Sequence, residues 1–151
     1  MRGIIGELKV QDESGFTIID MEAGLELFGR GTPGPSDLLL AVCEPSVWSL
    51  HTALRVIELA AELGIPRVGV VVNKVQEAAD VEWVRAALGA EGNTAVEIVA
   101  AVPYDRAVSL ADRKVQALLD VAPGCAAVVA IEGLADRLLQ RTDEAAALPQ
   151  S

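Results

Sequence analysis

Aromatic residues, histidine, cysteine and positive charge are all scarce in this chain. Aromatics make up 3% of its 151 residues, and there are one histidine and two cysteines. Cys43 and Cys125 lie far apart, with no Cys-x-x-Cys or Cys/His spacing, which excludes a disulfide scaffold or a zinc knuckle. Both read as small packed thiols, and His51, alone at a helix start, reads as a surface or capping residue. Lys and Arg total 12 against 22 Asp and Glu, a formal net charge of -10 with no local basic patch. Such a field repels nucleic acid and anionic membrane, so neither is an expected partner. No apolar run approaches the roughly 18 residues of a membrane-spanning helix, and the opening MRGIIGELKVQDE lacks the pattern of a signal peptide. A soluble cytoplasmic protein is expected. Also lacking is any glycine-rich loop ending in Lys-Ser or Lys-Thr. The GRGTPGP stretch from Gly29 to Pro35 has no lysine, and its two prolines carry no N–H.

What is present is apolar and ordered in its pattern. Hydrophobic residues reach 52%, enough to exclude global disorder and to build one domain, expected over residues 1–141 with a flexible tail over 142–151. Four continuously apolar runs read as strands covered on both faces: Phe16–Asp20, Asp37–Cys43, Arg67–Asn73 and Val96–Pro103. Leu50, Ala53, Leu54, Ile57, Ala60 and Ala61 follow helical spacing between the second and third runs, with Ser49 as a cap, Gly64 as the stop and Pro66 beyond it. A shorter helix is expected from an Asp80 cap to Gly89, burying Val81, Val84 and Leu88. Asp105 is placed as the cap of a short helix through Ala111. A longer one runs to about Gln140 with Ala127, Ile131, Leu134 and Leu138 on one face. Trp48 and Trp83 are expected to anchor helix packing. The segment from Arg2 to Val10 suits one or two amphipathic helical turns. Strands alternating with helices imply an α/β fold, three-layer α/β/α, with a mainly parallel sheet.

In such sheets ligands bind beyond the carboxyl ends of the strands, where this chain places its conspicuous polar groups. The first run ends in Asp20-Met21-Glu22-Ala23-Gly24, the second in Cys43-Glu44-Pro45-Ser46, the third in Asn73-Lys74 and the fourth in Pro103-Tyr104-Asp105. An apolar strand ending in Asp with Gly four residues later has the form of a Walker B strand. There the carboxylate holds a water on nucleotide-bound Mg²⁺, and the glycine N–H approaches the terminal phosphate. Asp20 as a plain helix cap fits the same spacing equally well. The Asn73 carboxamide suits the edge of a purine, and the Lys74 stem can lie along its ring. Glu22 and Glu26 read as a solvated acidic turn, with partner contact as the other reading and Arg30 as a candidate ion-pair partner for one of them.

The ordered combination from Thr17 to Lys74, TIIDMEAGLELFGRGT, then DLLLAVCEPS, LGIPRVGVVVNKV and finally VPYD, resembles the CooC-type ATPases, nickel-insertion accessories of carbon monoxide dehydrogenase within the wider MinD/ParA group of P-loop ATPases. The resemblance covers roughly residues 1–115 and implies a P-loop NTPase-like fold and Mg-ATP or ADP as cofactor. It implies Asp20 as the Mg²⁺-water residue, Gly24 at the γ-phosphate, Asn73 with Lys74 at adenine, and Pro103-Tyr104 in the base pocket. The family opens with a strand, a Lys-Gly-Gly-x-Gly-Lys-Thr Walker A loop and a Cys-x-Cys metal motif, none of which this sequence contains, so it matches the family's C-terminal portion.

Without that loop the backbone cradle and lysine charge for phosphate are lacking, and hydrolysis by the chain alone is expected to be deficient. The family's P-loop strand sits between the strands ending at Asp20 and Cys43, so two apolar edges are expected to seek a partner. That partner is a second copy or a polypeptide supplying the P-loop half, with carbon monoxide dehydrogenase as candidate client. Two other readings stand beside this one: a non-catalytic, degenerate interaction or oligomerisation module, and a fragment of a MinD/ParA-type positioning ATPase. The acidic charge and the lack of a basic amphipathic C-terminal helix disfavour the last.

Overall fold

A computed structural model describes residues 17–20, 36–93 and 95–146 of the chain, with side chains through 140. The described residues form three strands, β1 (Leu39–Cys43), β2 (Val68–Val75) and β3 (Glu97–Pro103), in a parallel sheet of order β1-β2-β3. Five helices accompany them: α1 (Val47–Glu62), α2 (Ala78–Ala90), α3 (Arg106–Arg113), α4 (Leu118–Val121) and α5 (Ala126–Ala146).

Alternation along β2 sorts its valines to opposite faces. Val70 and Val72 point with Ala41 and Cys43 toward Leu50, Ala53 and Ile57 of α1 and Val84 and Leu88 of α2. Val71 points the other way, joining Ala100, Val102 and Ala127 of α5. Val70, Val72 and Val84 are fully sealed from solvent, and burying each contributes about 1.5–3 kcal/mol. Helices therefore lie on both faces of a parallel sheet, the three-layer α/β architecture. Cys43 is enclosed in the α1 side, and burial pushes its thiol pKa up.

The β2·β3 pairing departs from regularity twice. Val70 pairs with Ile98 and Val71 with Ala100, so Val99 is an extra residue on β3; Val72 pairs with Ala101 and Val75 with Pro103, so Asn73 and Lys74 oppose the single Val102. Each is a β-bulge, which bends its strand and re-aims side chains. Because of the first, Val99 packs with Ala100 on the α5 face. The Val99 methyls then crowd Gly69, where an added Cβ would meet Cγ1 at 2.9 Å and Cγ2 at 3.1 Å.

Several elements differ from the sequence expectation. Thr17–Asp20, the described part of the first expected strand, has no ladder partner, and Ile18 is 91% exposed. A strand gains its hydrogen bonds from a neighbour, and the described residues offer it none. Helix α1 is capped by Ser46, whose Oγ accepts from Ser49 N–H at 3.4 Å, because the helix starts two residues before Ser49. Asp80 is the third residue of α2 and closes a reciprocal capping box with Glu77, the actual cap. Asp80 Oδ2 accepts from the N–H of Glu77 and of Gln76, at 3.2 and 2.8 Å. Helix α5 continues to Ala146, past Gln140, through a run rich in the helix formers Glu and Ala. Ile131 of α5 is exposed, its helical angle falling outside the arc set by Ala127, Ala130 and Leu134. The tryptophans anchor little. Trp48 is 86% exposed in the first turn of α1, off the face carrying Leu50, Ala53 and Ile57, and Trp83 is 41% exposed. Arg2–Val10, Glu22, Glu26 and Arg30 lie outside the described residues.

The contact at Gly69 generates a prediction. Val99 is β-branched and held in a bulge, so it yields poorly to an added methyl. Gly69→Ala is expected to destabilise the chain by about 1–3 kcal/mol in urea unfolding. Much of that loss should return in the Gly69→Ala/Val99→Ala double variant, measured against Val99→Ala alone.

Candidate functional site

The carboxyl ends of the three strands bring together the groups that follow them. In the parallel register Cys43 stands beside Val72, and Val72 beside Ala101, so Glu44, Asn73 and Val102–Tyr104 emerge along one rim. Asn73 is half-buried, and Lys74 and Tyr104 are exposed. Two contacts stitch the rim across strands: Lys74 Nζ meets Glu44 Oε1 at 2.6 Å, and Tyr104 N–H donates to the Val75 carbonyl at 2.8 Å. Asn73, Lys74, Pro103 and Tyr104, singled out separately by sequence, thus share one edge.

The bulge shapes the middle of that rim. Lys74 takes a left-handed backbone conformation, φ 56°, which costs a non-glycine residue about 1 kcal/mol or more. Asn73 supports it from the side, its Oδ1 accepting the Lys74 N–H at 2.9 Å. Of the two ends of a carboxamide only the oxygen can accept from an N–H, so this bond sets which end faces Lys74 and leaves the Nδ2 donors outside it.

On the β1 side, Glu44 N–H donates to Ser49 Oγ at 2.9 Å, tying the strand exit to the first turn of α1. On the β3 side, Asp105 caps α3, its Oδ1 accepting the Ala107 N–H at 2.8 Å. That bond holds the Asp105 carboxyl below the usual carboxylate range. Partial desolvation opposes it, and the Ala127 and Ala126 N–H groups and the Cys125 side chain add to the lowering. The Asp105 carboxylate therefore caps α3 and lies near the start of α5.

The other expected site residues are not joined to this rim. Asp20 is exposed and makes no hydrogen bond or ion pair with it among the described residues, and Gly24 lies outside them. No group of three or more His, Cys, Asp or Glu suited to a metal occurs among the described residues. The rim's carboxylates are already engaged, Glu44 by Lys74 and Asp105 by backbone N–H groups. Among the described residues the rim thus offers hydrogen-bonding side chains, and Asp20, the residue the resemblance assigns to Mg²⁺, is not joined to it. His51 is exposed, and no described helix is long and apolar enough to cross a membrane.

Sequence reasoning missed the roles of Glu44 and Ser46 in holding the rim, while Asp105 caps its helix as expected. The Glu-Pro-Ser run ahead of a helix was a readable capping signal, with Ser at the position that caps α1. The left-handed Lys74 had only the preceding Asn as a clue.

Comparison with known proteins agrees with this geometry. The chain is 36% identical over 108 residues to the carbon monoxide dehydrogenase accessory protein CooC of Rhodospirillum rubrum, a match covering 72% of this chain and 39% of that protein. Over this span the chain is a homologue of CooC. An uncharacterised ATP-binding protein of Methanocaldococcus jannaschii is 46% identical to this CooC-like chain over 91 residues, covering 60% of it and 34% of the relative. The chain spans well under half the length of these relatives. By structure the fold is that of MinD. The Aquifex aeolicus MinD cell division protein aligns with a TM-score of 0.53 at 20% identity, over 78% of this chain and 48% of that one. The cell division ATPase MinD of Pyrococcus furiosus aligns with a TM-score of 0.56 at 18% identity, over 69% of this chain and 43% of its own. No family model matches the chain.

The Asp105 cap gives a pH prediction for the CooC-like chain. Because folding lowers the Asp105 pKa, its stabilising contribution is complete above the ordinary carboxylate range and lost as pH falls through the lowered folded value. Asp105→Ala is expected to melt below the wild type at neutral pH, with the gap closing as the pH is taken below that range. Thermal melts across a pH series check this.

Proposed function

We propose that the chain is the base-recognising portion of a CooC-like ATP-binding protein whose activity serves nickel insertion into a carbon monoxide dehydrogenase. The carrying observation is the Asn73–Lys74 bulge, which places a carboxamide on the carboxyl rim that Tyr104 shares. In this reading Asn73 Nδ2 donates to the edge of adenine, the Lys74 stem lies against the ring, and Pro103 and Tyr104 wall the pocket. The relatives' names support it, one being an accessory protein of carbon monoxide dehydrogenase and another an ATP-binding protein.

Asp20 as the residue holding Mg²⁺ through water and Gly24 at the γ-phosphate belong to the same proposal, and when bound the ion would supply charge neutralisation at the phosphates. The rim residues do the rest: they hold and orient the base. With no lysine-bearing phosphate loop in its sequence, the chain alone grips the nucleoside more than the triphosphate, and hydrolysis requires a polypeptide that supplies the P-loop half. A second reading, a non-catalytic interaction module, draws on the exposure of Trp48 at 86% and Val42 at 62%.

Titration of the isotopically labelled chain with adenosine, ADP and Mg-ATP tests the proposal by NMR. Adenosine and ATP are expected to bind within about tenfold of each other and to shift the Asn73 side-chain and Tyr104 signals. Asn73→Ala should weaken both about five- to tenfold, the worth of one hydrogen bond. Shifts confined to the Trp48 and Val42 surface, or to none, would favour the interaction module. Micromolar Mg-ATP binding with turnover would refute the hydrolysis deficit.

A further inference from the structure

Helix α3 carries at both ends residues whose positions work against its own stability. Arg106 is its first residue, where the positive end of the helix dipole opposes a cation. Past the other end, Val115 takes a left-handed conformation, φ 53°, in the turn where Gln116 N–H donates to the Ala111 carbonyl at 3.0 Å. Glycine fills such a position without strain, and a β-branched residue does not. Val115 is also 94% exposed, so no burial among the described residues offsets that strain. Local rules broken without an internal gain are expected where a surface serves a contact.

Charge singles out the same helix. Arg55, Lys74 and Arg85 are ion-paired, and Arg67 Nε donates to the Asp37 carbonyl, whereas Arg106, Arg113 and Lys114 form no ion pair among the described residues. Arg106, Leu110 and Arg113 are exposed and fall within about 60° of one another around α3, roughly opposite the buried Ala111. A face of the other sign lies on α5. There Val129, Glu132, Asp136 and Leu139 are exposed within about 80° of one another, on the side away from Ala127 and Leu134. Neither of these carboxylates forms an ion pair among the described residues.

We propose that the α3 face, with Val115 at its end, docks against the α5 face of a second copy of this chain. Charge complementarity selects that occupant, because each face sets apolar side chains among charges of one sign and the two signs are opposite. The net charge of -10 opposes approach at long range. It is screened beyond about 8 Å at physiological ionic strength, whereas the facing groups meet inside that distance. Leu110 and Val115 against Val129 and Leu139 supply the apolar part of the contact. Two helix faces make an interface below the standard size, so the expected dissociation constant is about 10–100 µM. The contact uses neither the sheet edges nor the rim, and it is independent of the nucleotide reading.

Sedimentation of the whole chain over a concentration series at physiological salt tests the proposal. Arg106→Glu/Arg113→Glu and Glu132→Arg/Asp136→Arg are each expected to associate about fivefold or more weakly than the wild type. An equimolar mixture of the two should regain most of the wild-type association, since each reversed face then meets its complement. General charge repulsion predicts the opposite for the α5 variant, whose net charge is less negative than that of the wild type. Val115→Gly is expected to melt about 2–4 °C higher as its strain is relieved, and still to associate more weakly. Damaged folding does not produce that pair of effects. A wild-type chain that stays monomeric at about 500 µM overturns the proposal, as does a mixture that fails to regain association. Association left unchanged in any of these variants also overturns it, and survival in all of them moves the contact to the sheet edges.

Discussion

Burial of β2 between two partner strands and two helical layers is the constraint on which the described structure depends. Val70 and Val72 reach zero exposure only because β1 and β3 flank the strand while α1 and α2 close one face. Val71 needs α5 on the other. A strand held on four sides cannot shift to relieve a poor fit at its end. The irregularity at Asn73–Lys74 is therefore sustained by the regular part of the same strand, in which five parallel pairs with β1 run without interruption. Rigid packing below and a distorted tip above is the arrangement that lets an unfavourable backbone conformation persist.

The rim's polar groups form a connected series and are not a scatter of turn residues. Ser46 holds Ser49, Ser49 holds Glu44, Glu44 pairs with Lys74, and the Lys74 N–H holds Asn73. The same logic operates after β3, where Asp105 caps the start of α3. Helix capping and site geometry are thus the same interactions seen from two directions. Of the chain's relatives, one is named as a carbon monoxide dehydrogenase accessory protein and another as an ATP-binding protein.

The three strands of the sheet were legible because continuous runs such as Val68–Val72 have no reading as an amphipathic surface element. Their parallel order followed from the helices between them. Thr17–Asp20 has the same composition and was read the same way, but strand character is a property of pairs, and composition does not reveal whether a neighbour is there. Caps were placed three positions late, at Ser49 and Asp80, because each helix carries a second capping-type residue in its first turn and only the backbone decides which one begins the helix. Trp48 was misjudged because its size says nothing of where α1 starts relative to the sheet. For the site, the residue types were readable, and the four residues singled out separately share one edge of the sheet. Their stitching by Glu44 was not, since an ion pair between positions thirty residues apart leaves no local signal.

The two irregularities in the β2·β3 pairing have opposite sense: the first adds a residue to β3, the second adds one to β2, and the strands leave the ladder in the alignment with which they entered it. Inside–outside parity is thereby inverted over a short stretch and then restored just before Tyr104. A sequence change that straightened one kink while keeping the other would leave β2 and β3 one residue out of step beyond it. The two distortions therefore form a compensated set, heritable only together, and the phase of everything downstream, Asp105 included, is counted from both.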